Sequence, residues 1–156
     1  LSTVHTNDAP STIARLLDLG IPSYLINATL LGVMAQRLVR TLCPHCKEEG
    51  HITSEHWQEL VSPWKVNVPA RVYRPVGCLE CRNTGYLGRQ GLYEILTLSE
   101  SLKEKVVPDC NLQDLRRLAM KEGMRTLRLS GAQKVAAGLT TMEEVLRVAP
   151  PPEKAS

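Results

Sequence analysis

The sequence predicts an α/β fold that is interrupted by a small inserted subdomain and completed by a C-terminal helical subdomain. Helical periodicity is present at the start of the chain, weakens between residues 41 and 92, and returns afterwards. Glycine and proline punctuate the middle segment, which is typical of a subdomain stabilised by something other than a large core. We therefore divide the chain into 1–40, 41–92, 93–148 and 149–156, the third part being a strand with helices.

The first part is predicted to contain one strand end and two helices. Leu1–His5 has the β-branched residues typical of the end of a buried strand. Asn7 or Asp8 can cap the first helix, which is expected to end at Gly20. Ser23 can cap a second helix, which is expected to continue to about Leu38 because its apolar residues recur at helical spacing.

The inserted segment is predicted to carry one short helix and two strands. Ser54–Leu60 places its apolar residues on a common helical face. Arg71–Arg74 and Tyr86–Leu96 have the residue types of strands.

Helix signals return after the inserted segment. Ser99 and Asn111 can each cap a helix with their side chains. Two further helices are expected over Thr126–Ala137 and Thr141–Val148. The tail 149–156 contains three successive prolines and is expected to be disordered.

Composition limits the classes of function. The 156-residue chain is 43% apolar and contains no Phe, so its core must be built mainly from aliphatic side chains. A net charge of +3, with both signs spread along the chain, argues against a specific nucleic-acid surface. No apolar run approaches the roughly 20 residues of a membrane span, and no signal peptide is expected.

The cysteines point to a metal site. Four of the five cysteines fall into two C-x2-C pairs, and Cys110 stands alone. An odd number argues against a complete disulfide framework and favours a reducing compartment. Two such turns can aim four thiolates at one tetrahedral Zn²⁺. The predicted ligands are Cys43, Cys46, Cys78 and Cys81.

Other interpretations of the cysteines are weaker. A redox C-x-x-C motif normally occurs singly at the start of a helix in a βαβ unit. The nearby histidines His45, His51 and His56 are alternative ligands, but four thiolates already close the coordination shell. A closed shell leaves no bound water to activate, so the predicted zinc is structural.

The sequence contains no complete catalytic constellation. Neither G-x-x-x-x-G-K-[ST] nor G-x-S-x-G occurs. His5 stands at the end of the predicted strand, where α/β proteins place groups that contact ligands. A histidine that simply caps or bridges the loop is the favoured interpretation at this point.

Several segments together resemble one known family. The chain is similar to the secretion-superfamily ATPases that power type II secretion and type IV pilus assembly, in the branch with a tetracysteine zinc subdomain. The segments that carry the resemblance are Ser2–Ala9, Leu31–Cys46, Cys78–Ile95, Gly123–Leu127 and Gly138–Val148.

The resemblance implies a RecA-like ATPase fold with its phosphate-binding loop upstream of Leu1. Residues 1–40 would then be the C-terminal portion of the ATPase core. His5 would sense the γ-phosphate or position the attacking water. Gln36 and Arg37, in a stretch similar to the family's Ala-Gln-Arg-Leu, would contact nucleotide or a neighbouring subunit, although Arg37 in a structural ion pair is equally open.

The resemblance also implies cofactors, partners and location. The cofactors would be structural Zn²⁺, with ATP and Mg²⁺ in the longer protein. The partners would be a hexameric ring of identical subunits, an inner-membrane platform protein and a cytoplasmic protein of the assembly complex. The location would be the cytoplasmic face of the bacterial inner membrane, and no specific nucleic acid would bind.

A rival interpretation comes from another class of protein. A free-standing zinc-ribbon module that binds nucleic acid or a protein partner would account for Cys43 to Cys81. It would leave the segment around His5 and the closing helices without a role.

Overall fold

The chain combines helices with antiparallel strands in a computed structural model that describes residues 1–149 and 151. The helices are α1 (Ala9–Asp18), α2 (Ser23–Thr29), α3 (Ser54–Val61), α4 (Glu100–Lys103), α5 (Leu112–Lys121), α6 (Leu127–Ala136) and α7 (Met142–Val148). The strands are β1 (Gly32–Leu42), β2 (Glu48–Gly50), β3 (Val72–Arg74) and β4 (Tyr86–Thr97). Strand β1 pairs with β4, and β2 pairs with β3.

The described residues form two compact units. Unit 1 contains Leu1–Ala35 and Tyr93–Thr126. Unit 2 contains Gln36–Leu92 together with the described residues from Leu127 onward. Strands β1 and β4 each contribute residues to both units, and the units are described separately below.

In unit 1, helix α1 is held at its N-terminus by side chains distant in sequence. Asp8 caps the helix, since its Oδ1 accepts from the Ser11 N–H at 2.9 Å. Arg116 on α5 donates to the other oxygen of this carboxylate. The buried Glu94 on β4 accepts from the Ala9 N–H at 2.9 Å. These contacts confirm a capped helix after the Asn-Asp pair and fix its start.

The predicted second helix is wrong at its cap and beyond Thr29. Ser23 is the first residue of the helix, Pro22 is its N-cap, and no side chain caps it. Helix α2 ends at Thr29, and strand β1 begins at Gly32 and continues to Leu42. The residues buried along β1, Ala35, Val39 and Leu42, are spaced as on a helix, which explains the incorrect prediction. The valines of this segment prefer the extended backbone, and β4 supplies the hydrogen-bonding partner that sequence periodicity does not reveal.

Close backbone approach favours the strand at its start. The Leu98 N–H donates to the Leu31 carbonyl at 3.0 Å. A Cβ at Gly32 would lie 2.8 Å from the Leu96 carbonyl oxygen, so glycine permits this pairing. At the other end, the Cys43 N–H donates to the Gly85 carbonyl at 3.0 Å, which makes β1 and β4 antiparallel.

Two further expectations concern the ends of the chain. Leu1–His5 forms no strand, because no strand of the described residues pairs with it. Most of the predicted tail, Pro150 and 152–156, lies outside the described residues. Ala149 is described and is buried, and its carbonyl accepts from Arg128 Nε at 2.9 Å.

In unit 2, helix α6 packs against α3 and α7 and contacts β3. Strands β2 and β3 are antiparallel, with Glu49 opposite Tyr73. Helices α6 and α7 pack closely, since a Cβ at Gly131 would lie 2.4 Å from a methyl group of Val145. Arg128 on α6 reaches α3, where its Nη1 lies 3.5 Å from the Glu59 carboxylate. The short helix and both strands predicted for the inserted segment are confirmed.

The predicted caps in the C-terminal part are also confirmed. Ser99 Oγ accepts from the Leu102 N–H at 3.2 Å. Asn111 Oδ1 accepts from the Gln113 and Asp114 N–H groups at 3.0 and 3.1 Å. These polar side chains satisfy backbone donors that have no partner within a helix.

Candidate metal centre

Each cysteine pair lies on a tight turn in unit 2. In the first turn, the Lys47 N–H donates to the Cys43 carbonyl at 3.0 Å. In the second, the Asn83 N–H donates to the Cys78 carbonyl at 2.8 Å. Arg82 and Asn83 both have positive φ, 54° and 60°, which curls the chain tightly around the second pair. The two turns are here called knuckle 1 (Cys43–Cys46) and knuckle 2 (Cys78–Cys81).

The four thiols meet at one point. The Sγ atoms of Cys43 and Cys78, and those of Cys46 and Cys81, are 3.8 Å apart. All four sulfur atoms lie within 4.8 Å of one another. A tetrahedral site with Zn–S bonds of about 2.3 Å has sulfur–sulfur edges of about 3.8 Å. The predicted convergence of these cysteines is observed, and the cluster can hold a metal ion.

The distances also exclude disulfides within the cluster. A disulfide joins its sulfur atoms at about 2.05 Å, far shorter than the separations here. All five cysteines carry free thiols, and Cys43 and Cys81 are buried. Buried free thiols clustered in this way are ready to ligate a soft divalent cation.

Backbone amides point at two of the sulfur atoms. The Gly77 N–H donates to Cys46 Sγ at 3.3 Å. The Cys78 and Gly85 N–H groups donate to Cys81 Sγ, each at 3.2 Å. Such donors stabilise negative charge on sulfur and fix the direction in which the thiolate can bind.

The thiols of the cluster differ in acidity. Burial raises the pKa of Cys46 to about 11, although the Gly77 amide opposes this change. Burial also acts to raise the pKa of Cys81, but donation from the Cys78 and Gly85 amides outweighs it and lowers the value to about 6. A divalent cation would let all four thiols ionise together, so metal binding releases protons.

The neighbouring histidines take no part in the cluster. His45, His51 and His56 are all exposed. Among the described residues, the metal-compatible group around the knuckles consists of the four cysteines alone.

A buried carboxylate fixes the strand that leads into knuckle 1. Glu144 on α7 accepts from the Arg40 backbone N–H at 2.8 Å and from the Arg40 guanidinium at 2.8 and 3.0 Å. Arg147 donates to the same carboxylate at 3.0 Å. The Arg40 guanidinium also lies 4.2 Å from the centre of the Tyr86 ring. We call this set, Arg40, Tyr86, Glu144 and Arg147, the Glu144 cluster.

Lys47, the residue after knuckle 1, is also held by contacts that are distant in sequence. Lys47 Nζ donates to the Gly138 carbonyl at 2.7 Å and lies 4.6 Å from the centre of the Tyr73 ring. Gly138 has a φ of +72°, and a Cβ there would lie 2.9 Å from the Tyr73 ring. Sequence reasoning gave Lys47, Glu144 and Gly138 no role at the cysteine site, because the partners of these residues are distant in the chain.

The other predicted site residues lie outside the cysteine cluster. His5 is exposed in unit 1, in a segment that is neither helix nor strand. Gln36 and Arg37 lie on β1 in unit 2, and Arg37 Nη1 donates to the Gln36 carbonyl at 2.8 Å. Gln36 is exposed and Arg37 is half-buried.

Comparison with known proteins identifies relatives along almost the entire chain. The profile of the family described as "Type II/IV secretion system protein" matches residues 1–147. A type IV pilus assembly ATPase, TfpB, of Acinetobacter baylyi is 52% identical over 96% of this chain and 26% of its own length.

Two other relatives are named for type IV pilus assembly and for type II secretion, respectively. The type IV pilus assembly ATPase PilB of Myxococcus xanthus is 42% identical over 94% of this chain and 26% of its own length. The type II secretion system protein E of Aeromonas hydrophila is 40% identical over 95% of this chain and 29% of its own length. The chain therefore spans between a quarter and a third of the length of these relatives.

The four-cysteine cluster lies within the matched region. In the part of the chain that the structure describes, no helix has the length and apolar character needed to cross a bilayer. With a match over residues 1–147 and several relatives above 30% identity, the chain belongs to the family of type II/IV secretion system proteins.

Proposed function

We propose that this chain is the C-terminal part of an ATPase that powers type IV pilus assembly or type II protein secretion. The observation that carries the proposal is the family match over residues 1–147, with relatives named as assembly ATPases. Residues 1–40 would be the C-terminal portion of a RecA-like core. The chain lacks G-x-x-x-x-G-K-[ST], so the loop that holds the nucleotide phosphates would belong to a more N-terminal part of the protein.

The four-cysteine cluster is proposed to hold one structural Zn²⁺. Sulfur–sulfur separations of 3.8 Å fit a tetrahedral thiolate site, and amide donors already point at the sulfur atoms. When bound, the ion would supply coordination bonds that join knuckle 1 to knuckle 2. It would do no chemistry on a substrate, because four thiolates leave no open position.

His5 is proposed to act on ATP in the complete protein. Its exposed imidazole in an irregular segment can approach a ligand without first breaking a helix or strand. A donor at this position would stabilise charge that develops on the γ-phosphate during transfer. Mg²⁺ would accompany the nucleotide and bridge its phosphate oxygens.

Gln36 and Arg37 are proposed to contact nucleotide or a neighbouring subunit. The exposed amide of Gln36 is open to such a contact. Arg37 is half-buried, and its Nη1 donates to the Gln36 carbonyl. The planar guanidinium suits a phosphate or carboxylate better than lysine would.

The proposed assembly is a hexameric ring of identical subunits at the cytoplasmic face of the bacterial inner membrane. Its partners would be an inner-membrane platform protein and a cytoplasmic protein of the assembly complex. Relatives named for pilus assembly and for type II secretion support a place in a machine of this kind. Because identity to a pilus assembly ATPase reaches 52%, pilus assembly is the first of the two functions to test.

A free-standing zinc-ribbon module is a poorer explanation. Such a module would account for residues 41–92, whereas the family match extends well beyond them on both sides. No specific nucleic acid is proposed as a partner, since the net charge is only +3.

The proposal is tested on the complete gene product and on its deletion strain. We expect the purified protein to hydrolyse ATP and to contain one zinc per subunit. Deletion should abolish surface pili or type II secretion, and a Cys78→Ser copy should restore the function less well than a Cys110→Ser copy. A zinc-loaded, folded protein without ATP turnover, or a deletion strain with normal pili and secretion, would overturn the proposal.

A further inference from the structure

Gly85 contacts both knuckles through its backbone. Its N–H donates to Cys81 Sγ in knuckle 2 at 3.2 Å. Its carbonyl accepts from the Cys43 N–H in knuckle 1 at 3.0 Å. One buried residue thus touches a cysteine of each pair, and it lies next to Tyr86, where β4 begins.

The position accepts only glycine without rearrangement. The φ of Gly85 is +80°, a conformation that is strained for other residues. A Cβ there would lie 2.5 Å from the Pro75 Cβ and 3.1 Å from the Val76 nitrogen. Because two of the three nearest atoms belong to the backbone, a side chain at 85 would have to displace the chain that leads into knuckle 2.

Displacement of this peptide would affect the sulfur atoms directly. If the Gly85 N–H moves away from Cys81 Sγ, that thiolate loses a donor which fixes its direction. If the carbonyl moves, the Cys43 N–H loses its partner in a buried site, where an unpaired donor is unfavourable. Both changes would alter the distance between the knuckles.

We propose that Gly85 is a positioning residue that sets the metal affinity and the coordination geometry of the four-cysteine cluster. This inference rests on the proposed zinc site. Gly85 provides no ligand atom. It acts through Cys43 and Cys81, by holding the two knuckles at the separation that one tetrahedral ion requires.

Strand β4 offers a matched control three residues later. Gly88 has a φ of +82°, nearly the same as that of Gly85, and no atom lies within 4 Å of a Cβ built there. Replacing either glycine with alanine introduces similar backbone strain. Only the change at position 85 disturbs bonds to the cysteines.

The experiment compares wild type, Gly85→Ala and Gly88→Ala in the whole protein. Zinc affinity is measured by competition with a chromogenic chelator, and coordination geometry by the absorption bands of the Co²⁺-substituted site. We expect Gly85→Ala to weaken zinc binding about 10- to 100-fold and to shift the Co²⁺ bands. Gly88→Ala should keep the affinity and the spectrum of the wild type.

The outcomes separate the two proposals. Absence of zinc binding by the wild type contradicts the zinc site itself. Wild-type zinc affinity and Co²⁺ bands in Gly85→Ala overturn the role of Gly85 while leaving the zinc site intact. Equal losses in Gly85→Ala and Gly88→Ala also overturn it, since backbone strain alone would then explain both.

A second pair of variants covers failure of Gly85→Ala to fold. Pro75→Gly removes the Cβ that the new side chain would meet at 2.5 Å. The variant Pro75→Gly/Gly85→Ala is then compared with Pro75→Gly alone. The two backbone contacts at 3.1 Å remain in the double variant, so it should still bind zinc more weakly than Pro75→Gly alone and show shifted Co²⁺ bands. Identical behaviour of the two would overturn the inference.

Discussion

Glu144 stays ionised inside the protein because its two arginine partners and one backbone amide surround it. Its side chain is only 3% exposed. Burial acts to raise its pKa, but donation from Arg40 and Arg147 outweighs burial and lowers the pKa to about 2. A buried carboxylate that is fully paired orders its surroundings, whereas one left unpaired is strongly unfavourable. At the residue scale, Glu144 is therefore the side chain that most firmly links α7 to β1.

Replacing Glu144 with alanine should lower the free energy of unfolding by about 2 kcal/mol, the typical value for lost hydrogen bonds to a charged group. Half of the Arg40 side chain remains in water, which keeps the loss below that of a fully buried pair. Chemical denaturation measures this loss in the free energy of unfolding. Glu143→Ala is the control, since Glu143 is exposed on the same helix turn. Equal stability of the two variants would contradict the prediction.

The Glu144 cluster also predicts a dependence on pH. The folded pKa of about 2 lies below the ordinary value of 4.5, so the unfolded state takes up the proton first as pH falls. The stabilisation is fully present above pH 4.5 and is lost as pH falls toward 2. The stability difference between wild type and Glu144→Gln, followed by thermal denaturation, should shrink across this range. A constant difference would indicate that the carboxylate charge is irrelevant.

His5 gives a kinetic prediction in the complete protein. If its imidazole stabilises charge on the γ-phosphate, His5→Ala should lower ATP turnover about 100-fold, as loss of one such donor typically does. Nucleotide affinity should change little, since other groups bind most of the nucleotide. His51→Ala serves as the control, because His51 is another exposed histidine. Wild-type turnover in folded His5→Ala would remove His5 from the site.

At the scale of elements, local signals predicted helix ends and cysteine turns well and strand β1 poorly. A cap such as Asn111 depends on atoms two or three residues away, and the C-x2-C spacing is equally local. Strand β1 depends on β4, which is distant in sequence, and its buried residues mimic helical spacing. Gly85 had a visible signal, since glycine shortly after a knuckle suggests positive φ, but only the structure reveals its two bonds to the knuckles.

Metal removal should loosen α6 and α7 as well as the cysteine turns. All of these elements belong to unit 2. Lys47, next to knuckle 1, donates to the Gly138 carbonyl between α6 and α7. Arg40 on β1 donates to Glu144 on α7. Because thiolate coordination supplies much of the stability of small metal subdomains, its loss should propagate along these contacts. Hydrogen exchange with and without a zinc chelator should show faster amide exchange in 41–92, α6 and α7.

Unit 1 provides the reference for that measurement. Helices α1 and α5 lie in unit 1, so their amides should keep their protection after chelation. The Cys110→Ser variant removes a thiol from unit 1 and should exchange like the zinc-loaded wild type. Faster exchange confined to 41–92 would contradict the linkage, and equal loosening of α1 and α5 would contradict a local effect of the metal.

At the scale of the whole molecule, neither compact unit is continuous in sequence. Unit 1 joins 1–35 to 93–126, and unit 2 joins 36–92 to the described residues from 127 onward. The four-cysteine cluster therefore shares its unit with α6 and α7. The proposed nucleotide contact of His5 and the proposed zinc site therefore lie in different units, whereas Gln36 and Arg37 lie in the same unit as the cysteines.

The 156-residue chain alone should bind zinc but hydrolyse no ATP. Phosphoryl transfer needs backbone amides and a lysine around the β- and γ-phosphates, and the sequence has no G-x-x-x-x-G-K-[ST] to supply them. Phosphate release by the purified, zinc-loaded chain should equal the background without protein. The complete gene product, assayed in parallel, is the positive control. Sustained, saturable turnover by the isolated chain would mean that its own residues form a nucleotide site, and His5 would then be the first residue to replace.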